Sequence, residues 1–319
     1  MAATSTDVAA SLRTLKGRNF LSSSDLDSAE IRALLELAGQ LKRGDRHIEL
    51  SNRVLGLLFT KPSTRTRVSF QVAMARLGGQ TVDLNPQVTQ ISRGESLQDT
   101  ACVLSRFCDA LAVRAFTQQE VADYAMWSSI PVLNALTDLE HPCQALADYL
   151  TIKENFGELN GQTLAYLGDG NNVAHSLMLC GAVLGVNVRI GCPEGFEPLP
   201  AVLEQARALA TSSARVEVFH EPTAAARGAQ VLYTDTWTSM GQEQEEAKRE
   251  LAFQGFCLDE VLLKEADPAA IVLHCLPAHR GKEISAAVIE SPASRIFDQA
   301  ENRLHTQQAL LAAVMGGLC

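Results

Sequence analysis

A short segment rich in hydroxyl and guanidinium groups lies where the sequence predicts that a strand gives way to a helix. It consists of Ser63, Thr64, Arg65, Thr66 and Arg67, and we call it the 63–67 segment. The preceding apolar run, residues 54–59, is typical of a buried strand. Ser63 or Thr64 is expected to cap the helix, so free N–H groups and the positive end of the helix dipole would face an anion. Arg65 and Arg67 can add forked hydrogen bonds to a phosphate. We therefore predict an oxyanion site, with a capped helix and two solvated arginines as the alternative.

Other residues that could contact a ligand, most of them polar, follow the remaining predicted strands or lie near a predicted helix start. They include Arg114, His141, Gln144, Asp169, Asn171, Asn172, Asp235, Ser239, Met240, His274, Cys275 and Leu276. Ligands bind at the carboxyl ends of the strands in parallel sheets, so we expect these side chains to line binding sites. A cleft between two domains would collect them.

Residues 168–173 begin like the glycine fingerprint of dinucleotide-binding proteins. Val173, however, occupies the position of the third glycine, which permits close packing of helix and strand in that motif. A nicotinamide site is therefore not expected. Asn172 is interpreted instead as a donor and acceptor for a small polar molecule, with a helix N-cap as the alternative.

Several histidines and cysteines invite a metal hypothesis. They are His141, Cys143, His274, Cys275 and His279. A His-Cys neighbour pair cannot easily direct both ligands inward from a strand end, so no metal site is expected. Cys275 could act as a covalent nucleophile beside a histidine, but a buried structural thiol is the commoner role.

The composition indicates a cytoplasmic protein that acts on small molecules. The chain has 319 residues and a formal net charge of -10, which disfavours nucleic acid and anionic membranes as partners. Its apolar runs are shorter than the about 20 residues that a membrane-spanning helix needs. Its first residues lack the apolar core of a secretory signal. Eight cysteines without a Cys-x-x-Cys pair indicate reduced thiols.

The hydrophobic pattern predicts alternating strands and helices. Strands are predicted at residues 54–59, 81–84, 110–113, 163–167, 186–190, 215–219, 231–234 and 271–274. Helices are predicted at residues 28–43, 64–77, 96–106, 144–155, 173–184, 202–209 and 300–314. The expected fold is α/β, with two doubly wound domains, mainly parallel sheets, a cleft between them and a C-terminal helix closing back on the first domain. The polar stretch 242–250 suggests a mobile lid.

Four motifs give the whole chain a resemblance to the aspartate/ornithine carbamoyltransferases. They are the 63–67 segment, His141-Pro142 with Gln144, Asp235 with Trp237 and Ser239-Met240-Gly241, and His274-Cys275-Leu276-Pro277. The last two motifs are similar to the ornithine branch. The resemblance implies transfer of the carbamoyl group of carbamoyl phosphate to the side-chain amine of L-ornithine, giving L-citrulline and phosphate, as in arginine biosynthesis or the urea cycle. It implies no metal and no organic cofactor.

The resemblance also assigns residues to each substrate. Carbamoyl phosphate would be bound by Ser63, Thr64, Arg65, Thr66, Gln90, Arg114, His141, Gln144, Cys275, Leu276 and Arg303. L-ornithine would be bound by Asn172, Asp235, Ser239 and Met240. The catalytic set would be Arg65, Arg114, His141, Gln144, Asp235 and Cys275. Within it, Arg114, His141 and Gln144 would stabilise charge on the carbamoyl oxygen as an oxyanion hole does, and Cys275 would orient the amine.

The resemblance implies an organisation for the chain and its assembly. Residues 1–150 would bind carbamoyl phosphate, residues 151–299 would bind ornithine, and residues 300–319 would form a helix on the first domain. A homotrimer with shared active sites is expected, in which Gln90, or less favourably Arg93, reaches the neighbouring phosphate site.

Other functions remain open. A carbamoyltransferase for putrescine or aspartate is one, although Asp235 favours an amino-acid ammonium group and the Ser-Met-Gly motif argues against aspartate. A catalytically silent amino-acid or anion sensor is another. An intact set of Arg114, His141 and Gln144 argues against a sensor, because a mere binding protein does not need it.

Overall fold

The computed structural model describes residues 10–85, 89–211, 214–238 and 243–318. The chain divides into two compact units. Unit 1 contains the residues up to Leu150 and those from Asn302 onward, whereas unit 2 is the continuous stretch Thr151–Glu301. Within the described ranges, no helix combines the length and the apolar character needed to cross a membrane.

Unit 1 is built on a four-stranded parallel sheet. Its strands are β1 (Val54–Phe59), β2 (Gln80–Leu84), β3 (Ala110–Arg114) and β4 (Val132–Leu136). Its helices are α1 (Ser28–Arg43), α2 (Thr64–Arg76), α3 (Leu97–Phe107), α4 (Gln118–Trp127) and α5 (Pro142–Phe156), the last of which continues into unit 2. The strand order is β2-β1-β3-β4.

The helices of unit 1 begin at capping side chains that the sequence makes recognisable. Asp27 accepts from the backbone N–H of Glu30 at 2.8 Å, and the Glu30 carboxylate accepts from the Asp27 N–H at 3.0 Å. This reciprocal capping box fixes the start of α1. Ser63 caps α2 by accepting from the Thr66 N–H at 3.3 Å, so the cap is Ser63 and not Thr64, the other residue that the sequence allowed.

Unit 2 is built on a five-stranded parallel sheet. Its strands are β5 (Thr163–Leu167), β6 (Asn187–Gly191), β7 (Val216–Phe219), β8 (Val231–Thr234) and β9 (Ile271–His274), in the order β7-β6-β5-β8-β9. Its helices are α6 (Asn172–Leu184), α7 (Pro200–Leu209), α8 (Pro222–Ala226), α9 (Glu246–Ala252), α10 (Glu260–Leu263), α11 (Ala286–Ile289) and α12 (Ile296–Val314), the last of which continues into unit 1.

Each sheet reverses its strand order at one point, and such points are where open α/β sheets bind ligands. In unit 1 the reversal lies between β1 and β3, where Phe59 is paired with Arg114. In unit 2 it lies between β5 and β8, where Leu167 is paired with Thr234. The 63–67 segment follows β1, and Asp235 follows β8, so the topology directs the candidate residues to these two positions.

The predicted α/β class with parallel sheets is confirmed, and the paired strands are parallel throughout both sheets. The C-terminal helix is also confirmed, because residues from Asn302 onward belong to unit 1. Within unit 1, the Lys42 ammonium donates to the Asn302 side-chain oxygen at 2.8 Å. The sequence prediction missed β4 and the helices α4, α8, α9, α10 and α11. β4 is short and carries a buried polar residue, Asn134, in its centre, which interrupts the apolar pattern.

Candidate functional site

The 63–67 segment forms the first turn of α2 and its cap, at the carboxyl end of β1. Thr66 is buried, and its hydroxyl accepts from the Arg303 guanidinium at 2.6 Å. Arg303 is itself only 3% exposed. A cation from α12 therefore lies directly against the helix N-terminus that the sequence interprets as an anion site, which strengthens its positive potential.

The two arginines of the segment differ in their surroundings. Arg65 is exposed, and its charge acts on His141. Arg67 instead forms an ion pair with Asp83 of β2, and its guanidinium lies 5.0 Å from the centre of the Phe59 ring. The expectation that Arg67 also binds phosphate is therefore not supported, because its guanidinium already has a carboxylate partner.

His141 lies at the start of α5 and is buried, with 4% of its surface exposed. Burial, together with the positive charges of Arg303, Arg114 and Arg65, holds the pKa of His141 well below its usual value of 6.5. The imidazole is therefore neutral at neutral pH, with one nitrogen that donates and one that accepts.

Gln144 lies one turn further along α5 and is also buried. Its amide nitrogen donates to Asp148 Oδ1 at 2.8 Å. Within the described part of the chain, its amide oxygen has no hydrogen-bond partner. A buried acceptor without a partner is costly, so this oxygen is available to a ligand N–H group.

Arg114 ends β3 and is 7% exposed. Its backbone carbonyl accepts from the N–H and the hydroxyl of Thr60, each at 2.9 Å, which ties the ends of β1 and β3 together. Lys61 lies beside them, 4.9 Å above the Phe116 ring. Burial and the charge of Arg114 lower the pKa of Lys61. The reversal point of unit 1 thus combines several cations around the neutral His141.

Gln90 stands apart from this group. It is exposed and begins a short 3-10 turn, Gln90–Arg93, which ends at Gly94 in the left-handed region with φ 91°. The preceding residues 86–88 lie outside the described ranges. The structure of one chain therefore gives Gln90 no role, and its assignment to a phosphate site stays a prediction.

In unit 2, Asp235 and Cys275 lie in contact with each other. The Cys275 thiol lies 3.0 Å from Asp235 Oδ1 and donates to it. The backbone N–H of Thr236 donates to the same oxygen at 2.8 Å, and the Asn171 amide donates to Asp235 Oδ2 at 2.9 Å. Asp235 is 7% exposed, so this is a buried carboxylate satisfied by neutral donors. It is suited to receive a cationic ligand group.

The helix cap after β5 is Asn171 and not Asn172, which corrects the alternative considered for Asn172. Asn171 accepts from the N–H groups of Val173 and Ala174, and α6 begins at Asn172. The side chain of Asn172 is partly exposed at this first helical position. Sequence reasoning placed Asn171 at a strand end but gave it no role of its own, although an Asn directly before an apolar helix is a capping signal.

The loop between β5 and α6 requires a glycine at position 170. A Cβ atom there would lie 2.2 Å from the Pro198 nitrogen, so any side chain would displace the 197–198 backbone. The loop between β5 and α6 is therefore fixed by packing as well as by the Asn171 cap.

Leu276 adopts the left-handed region with φ 61°, which is rare for a residue with a branched side chain. Its N–H donates to His274 Nδ1 at 2.8 Å, while Nε2 of the same ring lies 3.1 Å from Glu283. Burial opposes ionisation of Glu283, but hydrogen bonds from His274 and the His279 backbone lower the pKa of Glu283 below its usual value. The buried His274–Glu283 pair thus holds the Cys275-Leu276 turn in shape.

The metal hypothesis can be tested on geometry. Of the five predicted candidates, His274 and Cys275 lie close together. Together with Asp235 they form a group of three residues whose possible ligand atoms all lie within 4.8 Å of one another. Both nitrogens of His274 are already engaged, by the Leu276 N–H and by Glu283. A metal ion would have to replace one of these bonds, so the donor set fits a metal poorly.

Ser239 and Met240, which were predicted to bind ornithine, lie outside the described residues, as do Gly241 and Gln242. The following part of the predicted lid is helical, with a 3-10 turn at Glu243–Glu245 and then α9. Arg249 of α9 is buried. Whether this segment moves stays a prediction.

Comparisons with known proteins point to the same family in both halves of the chain. A family model described as "Aspartate/ornithine carbamoyltransferase, carbamoyl-P binding domain" matches residues 18–154. A second, described as "Aspartate/ornithine carbamoyltransferase, Asp/Orn binding domain", matches residues 160–314. A curated relative named ornithine carbamoyltransferase, from Prochlorococcus marinus (strain MIT 9313), is 73% identical over 318 residues, covering 100% of both chains. A relative of the same name from Nostoc punctiforme is 58% identical and covers 96% of this chain and 99% of its own.

Two solved structures are similar to this chain over almost its full length. The ornithine carbamoyltransferase from Gloeobacter violaceus is 53% identical, covers 94% of this chain and 100% of its own, and gives a TM-score of 0.86. The ornithine carbamoyltransferase from Pyrococcus furiosus is 49% identical, covers 95% of this chain and 98% of its own, and gives a TM-score of 0.91.

Proposed function

The chain belongs to the aspartate/ornithine carbamoyltransferase family, and on that premise we propose that it transfers the carbamoyl group of carbamoyl phosphate to the side-chain amine of L-ornithine. The products are L-citrulline and phosphate. The observation that carries the proposal is the buried His141, which lies within the electrostatic influence of Arg65, Arg114 and Arg303, with Arg303 hydrogen-bonded to Thr66 of the 63–67 segment. Such a set attracts the dianion of an acyl phosphate and offers hydrogen-bond donors to its reacting carbamoyl group.

The phosphate is assigned to the 63–67 segment with Arg303. Ser63, Thr64 and Thr66 supply hydroxyl and backbone N–H donors at the start of α2, and Arg65 supplies a guanidinium that a ligand can engage. Arg303, held against Thr66, adds a buried charge. Charge-assisted hydrogen bonds of this kind are about twice as strong as neutral ones. Negative charge grows on the leaving phosphate, so these groups serve both binding and catalysis.

The carbamoyl group is assigned to Arg114, His141, Gln144 and the Cys275-Leu276 turn. Arg114 and His141 would donate to the carbamoyl oxygen, on which charge develops as the amine attacks. Gln144 is suited to a different part of the group. Its nitrogen already donates to Asp148, so its free amide oxygen would accept from the carbamoyl NH₂.

The ornithine end is assigned to Asn172, Asp235, Ser239 and Met240. Asp235 provides the buried carboxylate that an ammonium group requires. Cys275 is assigned an orienting role, because its thiol is a hydrogen-bonding partner of Asp235 and lies beside the turn of Leu276. A covalent cysteine intermediate is not needed.

The reaction balances without a further reactant. The ornithine side-chain ammonium releases one proton to solvent, and its nitrogen forms a bond to the carbamoyl carbon. The bond from that carbon to the bridging phosphate oxygen then breaks, and the carbamoyl oxygen returns to a carbonyl. A second proton from the attacking nitrogen ends on phosphate. Holding both substrates within reach makes the attack effectively intramolecular.

The domain assignment follows from the same argument. Residues 1–150 are assigned to carbamoyl phosphate, residues 151–299 to ornithine, and residues 300–319 to a helix that completes the first domain. The presence of the 63–67 segment in unit 1 and of Asp235 in unit 2 supports this division.

A homotrimer with shared active sites is also part of the proposal. Its support is an apolar patch on unit 1, formed by Val103, Phe107, Met126 and Trp127, of which Phe107 is 73% and Met126 70% exposed. The Cys102 thiol in the middle of α3 donates to the carbonyl of Trp127 at the end of α4, at 3.7 Å, which joins the two helices that carry these residues. Exposed apolar patches mark protein interfaces, and we assign this one to a second copy of the chain.

A cytoplasmic location completes the proposal. Cysteines 102, 108, 143, 180, 192, 257 and 275 are all free thiols in the described part of the chain. Free thiols are typical of a reducing compartment.

One assay tests the activity. The purified protein is incubated with carbamoyl phosphate and, in parallel, with L-ornithine, putrescine or L-aspartate, and the carbamoylated product and phosphate are measured. Citrulline formed in equal amount to phosphate, with ornithine strongly preferred, is the expected result. A preference for another amine would change the substrate, and binding of both ligands without product would indicate a sensor.

A further inference from the structure

The Asn171 side-chain amide is held in one orientation. Its oxygen accepts from the N–H groups of Val173 at 2.9 Å and Ala174 at 3.2 Å, and from the Tyr166 hydroxyl at 3.2 Å. Tyr166 is fully buried on β5. Three donors on the oxygen leave the amide nitrogen facing the other way, where it donates to Asp235 Oδ2 at 2.9 Å.

This nitrogen completes the set of donors around Asp235. Oδ1 receives the Thr236 N–H and the Cys275 thiol, and Oδ2 receives Asn171. The terminal torsion of an aspartate is broad and sets no single carboxylate plane by itself. Donors on both oxygens therefore decide where the lone pairs of Asp235 point.

The donor from Asn171 is also uncharged. A neutral amide orients the carboxylate without cancelling its charge, whereas a lysine or arginine at this place would compete with a substrate ammonium group. The cap of α6 and the carboxylate after β8 are thus joined through one side chain, at the reversal point of the unit 2 sheet.

We propose that Asn171 is a positioning residue for the ornithine site, one that caps α6 with its oxygen and orients Asp235 with its nitrogen. The inference rests on the proposed function. It adds a residue whose effect on ornithine is exerted through Asp235. Tyr166 supports it by fixing the amide.

The two roles of Asn171 can be separated, because Asn, Asp and Ser are about equally good N-caps. Asn171→Ser keeps a cap and removes the donor. Asn171→Asp keeps the cap and the acceptor for Tyr166, but it sets a second carboxylate against Asp235. An orienting role predicts that the ornithine KM rises in the order wild type, Asn171→Ser, Asn171→Asp, with a rise of about tenfold to a hundredfold, as expected for a lost hydrogen bond to a charged group. The Kd for carbamoyl phosphate should not change.

Asp259 provides a matched control in the same unit. It caps α10 by accepting from the N–H groups of Val261 and Leu262, the same geometry as at Asn171. Asp259→Ser should alter the midpoint of thermal unfolding by as much as Asn171→Ser, yet leave the ornithine KM unchanged.

The outcomes are distinct. Equal ornithine KM values in wild type and both Asn171 variants would overturn the positioning role, as would losses in kcat and thermal stability at an unchanged KM. If the wild-type protein forms no citrulline, the proposed function fails and this inference fails with it. If wild type forms citrulline and both Asn171 variants keep its ornithine KM, the positioning role of Asn171 is rejected and the proposed function stands.

Discussion

The buried guanidinium of Arg249 donates to the Asp169 carboxylate at 2.8 Å, and the same nitrogen donates to the Trp237 carbonyl at 2.9 Å. Asp169 follows β5 and Trp237 follows β8, so one side chain of α9 links the two loops at the reversal point of unit 2. Burial raises the pKa of Asp169, and the Arg249 charge opposes that rise. Phe253, just after α9, stacks on Trp237 with ring centres 5.5 Å apart. α9 is thus anchored beside the ornithine residues.

We expect Arg249→Gln to release α9 and to weaken ornithine use by about tenfold or more, because breaking a buried ion pair leaves an uncompensated carboxylate at Asp169. The chain has two tryptophans, so in a Trp127→Phe background the emission of Trp237 reports on the anchor. A shift of that emission toward longer wavelength should accompany the rise in ornithine KM. Lys282→Gln, which removes an exposed link to Glu246 and Glu250, should have a smaller effect that salt suppresses.

Arg65→Ala is expected to lower both the affinity for carbamoyl phosphate and kcat, because its charge is proposed to bind the substrate and the leaving phosphate. Arg65→Lys should restore little, since a point charge lacks the bidentate fork. Arg67→Ala is the control within the same helical turn. Its guanidinium is paired with Asp83, so this change should reduce stability modestly and spare the affinity. Near-normal kinetics in Arg65→Ala would remove the residue from the mechanism.

His141 should make the stability of the protein depend on pH. Unfolded histidine binds a proton near 6.5, whereas the pKa of folded His141 lies well below that because of burial and neighbouring arginines. The unfolded state therefore binds the extra proton in the interval between, and the free energy of unfolding falls as pH falls through 6.5, by at most about 1.4 kcal/mol per pH unit.

Urea unfolding of wild type and His141→Gln, at pH values on both sides of 6.5, measures this contribution. The free energy of unfolding should depend less steeply on pH in His141→Gln than in wild type. His47→Gln is the control, because His47 is exposed and has only a surface ion pair with Glu49; it should follow wild type. Identical slopes in wild type and His141→Gln would contradict the neutral, buried histidine.

Cys275→Ser should retain measurable turnover with a raised ornithine KM, because a hydroxyl can still donate to Asp235 and accept from an amine. Cys275→Ala should lose more. Cys257→Ser, a partly buried cysteine of the same unit, should behave as wild type. Mass spectrometry during turnover gives the decisive check, since a carbamoylated Cys275 would establish covalent catalysis instead.

Shared active sites predict complementation. A Gln90→Ala, Arg93→Ala chain and a His141→Ala chain should each be poorly active alone. Mixed trimers formed by co-refolding should exceed the average of the two parents, because some interfaces pair an intact loop with an intact His141. Verified mixed trimers without such a gain would leave the Gln90 loop to its own subunit or to solvent.

Short-range patterns in the sequence predicted the helix caps and most strands, because interactions between residues close in sequence determine these features. The Asp27 capping box, the Ser63 cap and most strands follow from spacing alone. The polar interruption at Asn134 hid β4, and the cap of α6 was considered at Asn172 although Asn171 supplies it. No local pattern could assign the partner of Arg67, because Asp83 comes from another strand. The contact of Arg303 with Thr66 joins residues 237 positions apart, a distance that only the resemblance could bridge.

Because Thr66 and Arg303 lie far apart in the sequence, the two partners of this contact are synthesised at very different times. Unit 2 is continuous in the chain, whereas unit 1 draws on residues from Asn302 onward. During translation, every residue of unit 2 is therefore synthesised before Arg303. The 63–67 segment is made early, but the buried guanidinium that contacts it is added only near the end of synthesis. Nascent chains emerging earlier carry an incomplete anion site. The phosphate site proposed for unit 1 is therefore complete only after the C-terminal residues have been synthesised.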